Sequence, residues 1–277
     1  MRLTNYLAIL FIISGLVGFA TILALPSTMD YSVLNNGETG FSELVRYYNA
    51  SILTSLKDLE SLNPVEYVLL VGGVGGLSSD VLARYRLFVE KGGIIIVTGD
   101  AVLLNSVAEA FGRPGLVGNG TIYDMVFNAG NRFKPKGYSR ACNCTVAVWR
   151  PSPLSLNGES GLVETSSFSY LDLNNNGFMD LEEPIGSFPI SLMLDYGDGK
   201  VVIMASPRVF TNDMLEENKE FLDFLKGNRS LIIDQIVQSK QFFERVRLAA
   251  SRTSSVLLTG ILSILLVTVI MVAGSKR

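Results

Sequence analysis

Apolar residues in this chain fall into three kinds of run, and each kind predicts a different element. Two runs are long and uncharged: Tyr6 to Leu25 and Val256 to Ala273. A hydrocarbon core needs about 20 such residues, so both are expected to cross a membrane, the first as a retained anchor rather than a cleaved leader. Two runs are short and nearly continuous, "VEYVLLVGG" (65–73) and "IIIVTGD" (94–100). Strands buried on both faces read this way. The third kind is periodic. In "LSSDVLARYRLFVEKGG", Ser78 or Ser79 can cap a helix that places Leu82, Tyr85, Phe88 and Val89 on one face, and Gly92-Gly93 end it. "AVLLNSVAEAFG" (101–112) repeats the pattern. Strand, helix, strand, helix with short connections predicts βαβ units and a mostly parallel sheet, an α/β fold.

Elsewhere the signal is patchier. Phe41 to Tyr48 reads as a short helix and Ser51 to Ser55 as a strand. From about 113 to 160 Gly, Asn and Pro are frequent, and "TVAVW" (145–149) is the one clear strand. "VETSSFSYLDL" (163–173) follows, then "FPISLMLDY" (188–196) and "GKVVIMASP" (199–207), which the turn Gly197-Asp198-Gly199 can join as a hairpin. A helix from about Asn212 to Lys226, the strand "SLIID" (230–234) and a helix from Ile236 to Ala250 complete the reading. The expected organisation is an anchor (1–25), an α/β domain (26–235), a juxtamembrane helix (236–255) and a second span (256–273).

Composition adds orientation. The 277 residues are 48% hydrophobic with a formal net charge of −3. Basic residues flank both sides of the expected spans: Arg2, Lys276 and Arg277 on one, Lys240, Arg245, Arg247 and Arg252 on the other. Acidic Asp30, Glu38 and Glu43 after the first run, and four glycosylation sequons at Asn49, Asn119, Asn143 and Asn228, favour a domain outside the cytoplasm with both termini inside. Cys142 and Cys144 are the only cysteines. Outside the cell they can form a short disulfide, inside it a pair of free thiols, and two ligands alone make a poor metal site. No basic patch suggests nucleic acid; the bases before the second run suit lipid headgroups.

Chemistry is narrowed most by what is missing. There is no histidine, which removes Ser-His-Asp triads, Cys-His dyads and His-ligated metals. "GGVGG" (72–76) lacks the spacing of a phosphate loop and reads as a strand-to-helix turn. Ligands of open parallel sheets bind at the carboxyl ends of the strands. Gly72, Gly73, Gly75, Gly76, Thr98, Asp100, Ser206 and Arg208 would line such a crevice. "DLNNNGFMDLEE" (172–183) matches the register of a calcium loop: Asp172, Asn174, Asn176, the Phe178 carbonyl, Asp180 and Glu183 take positions 1, 3, 5, 7, 9 and 12. An Asn-Asn-Gly turn with solvated acids is the rival reading.

Four stretches together resemble a known family: "GFSELVRYY", "VLLVGG…LSSDVLARYRLFVEKGGIIIVTGD", "YLDLNNNGFMDLEEPIGSFPISL" and "GKVVIMASPRVFTNDMLEENKEFLDFL". It is the uncharacterised, mainly prokaryotic DUF4350 membrane family, related to class I glutamine amidotransferases. The resemblance implies a flavodoxin-like three-layer domain, membrane anchoring and no established activity. Genes of such proteins often neighbour those of MoxR-type ATPases, which implies a partner in envelope assembly. Where relatives tend to carry an acid and a histidine after the last strand, this chain has Asp234-Gln235, and neither strand-to-helix elbow holds a cysteine. The expected function is a non-catalytic, anchored, extracytoplasmic binding or scaffold module with a calcium-braced loop. The alternative is an envelope hydrolase using paired carboxylates or a Ser-Lys pair.

Overall fold

The computed structural model describes residues 10–15, 17–18, 20–21, 26–156, 160–236 and 241–252. Among them lie eleven strands: β1 (Ser51–Leu53), β2 (Tyr67–Gly73), β3 (Ile94–Gly99), β4 (Thr121–Asp124), β5 (Lys136–Ser139), β6 (Cys144–Ala147), β7 (Val163–Thr165), β8 (Ser169–Asp172), β9 (Pro189–Tyr196), β10 (Gly199–Met204) and β11 (Ser230–Asp234). The helices are α1 (Ser42–Tyr48), α2 (Leu56–Glu60), α3 (Ser79–Glu90), α4 (Ala101–Ala110), α5 (Leu215–Lys226) and α6 (Phe242–Arg252). The chain divides into two compact units, Thr28–Val237 and a second made of Met1–Ser27 with Gln238–Arg277.

The larger unit is built on a nine-stranded sheet in the order β1-β11-β2-β3-β10-β9-β7-β5-β6. The first five strands run parallel to their neighbours. From β10 onward each pairing is antiparallel. β4 and β8 form a separate antiparallel pair.

This mixed sheet overturns the flavodoxin-like, mostly parallel three-layer domain. The continuous apolar runs do form the parallel half. However, residues 121–196 add four antiparallel strands to its edge and a small second sheet. That segment looked irregular because β5 ("KGYS") and β4 ("TIYD") carry few apolar residues and follow turns rich in Gly and Asn. Strands this short leave no measurable period.

Alternation in the parallel strands sends apolar side chains to both faces. Leu69, Val71, Ile95, Val97, Val201, Ile203 and Ile232 share one core with Val81, Tyr85, Phe88 and Val89 of α3 and Leu103, Leu104 and Val107 of α4. Their neighbours Val68, Leu70, Ile96, Val202 and Met204 face the other way and are equally buried. The β9–β10 hairpin turns through Gly197, whose φ is 58° and where an added Cβ would fall 2.7 Å from Glu90 Cα, so no side chain fits. At the far edge, Asn218 of α5 both donates to the Ala147 carbonyl and accepts from its N–H, each at 2.8 Å. This satisfies backbone that would otherwise offer a template for another strand.

The described residues of the second unit are the helical positions 10–15, 17–18 and 20–21, residues 26–27, and α6 with Gln241 before it. Ser27 Oγ donates to Glu244 Oε2 at 2.8 Å, and Arg247 lies 3.7 Å from the same carboxylate. Among the described residues no helix is long and apolar enough to cross a membrane. Tyr6–Leu25 is described only in part, and Val256–Ala273 lies outside the described residues. The two-pass anchoring, with cytoplasmic termini and an extracytoplasmic domain, is therefore not supported. Apolar run length registers a need for burial; the burying medium is not written in it.

Candidate functional site

The strand ends were the first expected site, and the structure fills them from within. Asp100 caps α4 by accepting from Leu103 N–H at 2.8 Å, while its other oxygen accepts from Gly75 N–H at 2.9 Å. Thr98 is buried and donates to the Ser206 carbonyl at 2.6 Å. Ser206 Oγ accepts from the N–H groups of Trp149 and Arg208 at 3.1 and 3.2 Å. Arg208 lies over the Trp149 ring, 4.9 Å from its centroid, and reaches Asp213 and Glu38 at 3.3 and 3.4 Å. Over Gly72, a Cβ would meet the rings of Phe41 and Tyr31 at 2.6–2.7 Å. Tyr31 is pinned there by its bond to the Pro207 carbonyl, 2.9 Å. These residues hold the strand ends together and cover Gly72.

One buried titratable pair went unread in the sequence. Asp234, at the end of β11, accepts from the Tyr85 hydroxyl and from Ile236 N–H. Burial is the main influence and pushes the carboxyl up to about 6, although both hydrogen bonds pull it down. Burial also holds the Tyr85 phenol well above its ordinary range. Gln235 beside it is buried too, bridging Val33 N–H and the Tyr31 carbonyl. The signal was available: an acid closing an apolar strand.

Around β4 and β8, buried carboxylates act as brackets. Asp124 Oδ1 accepts from Val126 and Phe127 N–H at 2.8 and 2.7 Å. Its Oδ2 accepts from Ser169 Oγ at 2.9 Å and from Ser166 Oγ. Asp172 accepts from Asn176 and Gly177 N–H at 3.2 and 2.7 Å, and Glu183 from Leu173 and Asp180 N–H, both at 3.0 Å. Asp180 receives the amides of Asn174 and Asn176 at 2.8 and 2.9 Å. The sequence register brought these residues together correctly, but it misread their employment. Their oxygens close the loop on its own backbone. Among the described residues no group of three or more His, Cys, Asp or Glu side chains is disposed to hold a metal ion. The metal reading of the loop is corrected accordingly: acids at calcium spacing serve equally as acceptors for a turn rich in N–H donors.

These brackets hold up apolar side chains. Met125, Val126 and Phe127 project from the turn that Asp124 fastens; Phe168 is 60% exposed in the turn fastened from the other side. The 172–185 loop adds Phe178, Met179, Leu181 and Ile185, with Phe178 65% exposed. The Arg132 guanidinium lies 5.1 Å from the Phe133 ring centroid and 5.4 Å from that of Phe178. Arg150 reaches the Tyr123 hydroxyl at 3.3 Å. Among the described residues neither arginine has a carboxylate within ion-pair distance.

The β5–β6 turn carries the disulfide Cys142–Cys144, with Cα atoms 5.2 Å apart. Cys144 is 3% exposed and Cys142 is more open. The crosslink closes a three-residue ring inside a hairpin that already pairs Ser139 with Cys144, so its entropic contribution is about 1.5 kcal/mol at most. Tyr138, Arg140, Ala141, Glu164, Thr165 and Ser187 line a cavity of about 430 Å³ beside it. The sequon residues Asn49, Asn119, Asn143 and Asn228 are all exposed.

Solved structures are similar to this chain only at low identity and low TM-score. One described as "mmIFT52 N-terminal domain" is 16% identical, with 61% of this chain and 77% of that one covered and a TM-score of 0.44. A β-galactosidase from Rahnella sp. R3 is 15% identical over 60% of this chain and 23% of its own, TM-score 0.34. The cytoplasmic protein STM3548 from Salmonella typhimurium is 12% identical over 62% and 74%, TM-score 0.29. None is close enough to speak to activity. No curated protein sequence matches. A family model does match, over residues 33–225, which takes in β1 to β10 and the bracketed loops: the chain belongs to the family described as a domain of unknown function, DUF4350.

Proposed function

We propose that this protein is a non-catalytic binding module whose contact surface is the apolar crest around β4 and β8. The observation that carries the reading is the pairing of Asp124 with the side chains it supports. A fully buried carboxylate with four donors fixes two adjacent turns, and those turns direct Met125, Val126, Phe127 and Phe168 into solvent. Exposed apolar side chains gain nothing for the isolated fold, and contiguous ones mark interaction surfaces. Arg132 and Arg150 beside the crest set the partner's chemistry: a protein segment presenting apolar side chains together with carboxylates. Aromatic and arginine anchors are the residue types that dominate such contacts.

The test is selection of a displayed random peptide library on the folded full chain. Enrichment of peptides combining apolar and acidic residues is expected, with binding lost in Phe168→Ser and Phe178→Ser. Arg132→Gln should weaken it and flatten its dependence on salt. No enrichment, or binders indifferent to all three substitutions, would overturn the reading.

A further inference from the structure

The Cys142–Cys144 disulfide is poorly placed as a crosslink and well placed for chemistry. It sits at the tip of the last hairpin of the sheet, where a ring of three residues leaves little chain to restrain. Its two sulfurs differ in environment: Cys144 is sealed in, and Cys142 is partly open to solvent. Thiol–disulfide exchange depends on which sulfur is accessible to attack. Arg140 and Ala141, directly before Cys142, form one wall of the 430 Å³ cavity, and Glu164, Tyr138 and Ser187 line it too. Such a space is of small-molecule size, and it offers one cationic and one anionic side chain.

We infer that this disulfide is exchange-active and that the cavity seats a small amino-acid-type thiol, with its carboxylate toward Arg140 and its ammonium toward Glu164. The bound thiolate attacks Sγ of Cys142. A bond forms between the incoming sulfur and Cys142, the Cys142–Cys144 bond breaks, and its electron pair leaves on Cys144, which takes up a proton. A second molecule of the thiol then attacks the incoming sulfur, releases the Cys142 thiolate and departs as the small-molecule disulfide. Two thiols are oxidised and one disulfide is reduced, so the exchange balances without a further oxidant. When the thiol is scarce, the Cys144 thiolate instead attacks Cys142 in the mixed disulfide, expels the small thiol and recloses the ring before a second thiol arrives. The inference does not depend on the apolar crest, and neither reading's failure touches the other.

The experiment measures the rate of disulfide opening in the folded full chain with L-cysteine, cysteamine, mercaptoacetate and 2-mercaptoethanol at matched thiolate concentrations. Adducts are trapped by alkylation and located by mass spectrometry. Cysteine is expected to react at least tenfold faster than 2-mercaptoethanol, with the adduct on Cys142. Arg140→Gln should bring cysteine down to the cysteamine rate, and Glu164→Gln to the mercaptoacetate rate. Cys144→Ser, offered cystine in place of cysteine, should exchange its free Cys142 thiolate for one half of the cystine, release one cysteine and keep a stable mixed disulfide on Cys142. Circular dichroism of each variant separates lost folding from lost selectivity. Equal rates for all four thiols, an adduct on Cys144, or opening that occurs only in denaturant would overturn the inference, the last showing a structural staple alone.

Discussion

The two halves of the large sheet are stabilised by opposite means. In the parallel half, β2, β3 and β10 are almost wholly buried apolar strands, and adjacent residues face two cores. In the antiparallel half and its satellite β4–β8 pair, buried polar groups stand where apolar ones would be expected: Asp124, Asp172, Ser169, Thr165 and, clamping the edge, Asn218. A core of the first kind needs volume and tolerates exchange among similar shapes. A bracket of the second kind needs each acceptor in place, since a lone unsatisfied buried donor costs about 1–3 kcal/mol.

The contrast is broken most severely at Asp124. Asp124→Asn keeps the shape but turns an amide toward hydroxyl and N–H donors. A loss of about 4 kcal/mol is expected in denaturant unfolding, and a loss below 1 kcal/mol would mean the bracket is ornamental.

Asp234 extends the test to the parallel half, where it is a polar group within the apolar core. Its folded pKa of about 6 exceeds the ordinary 3.8, so between those values the folded state holds the proton more firmly than the unfolded state. Its contribution to stability is therefore greatest below about pH 4, declines as pH rises to about 6, and is flat beyond. Over that window the loss amounts to about 3 kcal/mol. Asp234→Asn should remove this slope: the wild type minus variant difference in unfolding midpoint, followed from pH 7 to pH 4, is expected to move in favour of the wild type.

Asn218→Ala should cost about 2 kcal/mol and expose the edge of β6, with light scattering showing association that the parent lacks. Glu183→Gln replaces one of the three carboxylate acceptors in the 172–185 loop, and about 1.5 kcal/mol is expected. The same drop should appear in chelator and in millimolar calcium; a drop confined to calcium would return a cation to that loop. The smallest effect belongs to the apolar half. Ile96→Val removes one methylene from a fully buried strand, and about 1 kcal/mol is expected.

Legibility followed the same division. β2, α3, β3 and α4 were readable almost to the residue because burial on two faces, helical periodicity and terminal glycines each leave a mark in the sequence. The β9–β10 hairpin was readable from its glycine turn. β4 and β5 were not, because a four-residue strand whose neighbours are polar brackets has no period to detect. Some of the strand-end residues do lie together: Asp100 reaches Gly75, and Thr98 reaches Ser206. Their use as mutual partners rests on contacts 25 and 108 residues apart, and the cover of Gly72 comes from Tyr31 and Phe41, more distant in sequence than any helix or turn spans. No local pattern encodes contacts of that range.

The sequence by itself determined the apolar strands, the helices laid against them, the absence of histidine chemistry, and the spacing that draws Asp172 and Glu183 into one loop. Those properties are local, set by periodicity and residue type. Only the tertiary structure decided that the sheet continues antiparallel through β9, β7, β5 and β6, that the loop acids bind backbone N–H groups, and that Cys142 and Cys144 differ in exposure beside a charged cavity. Each of those outcomes depends on which distant groups compete for the same donor, the same sheet edge or the same solvent.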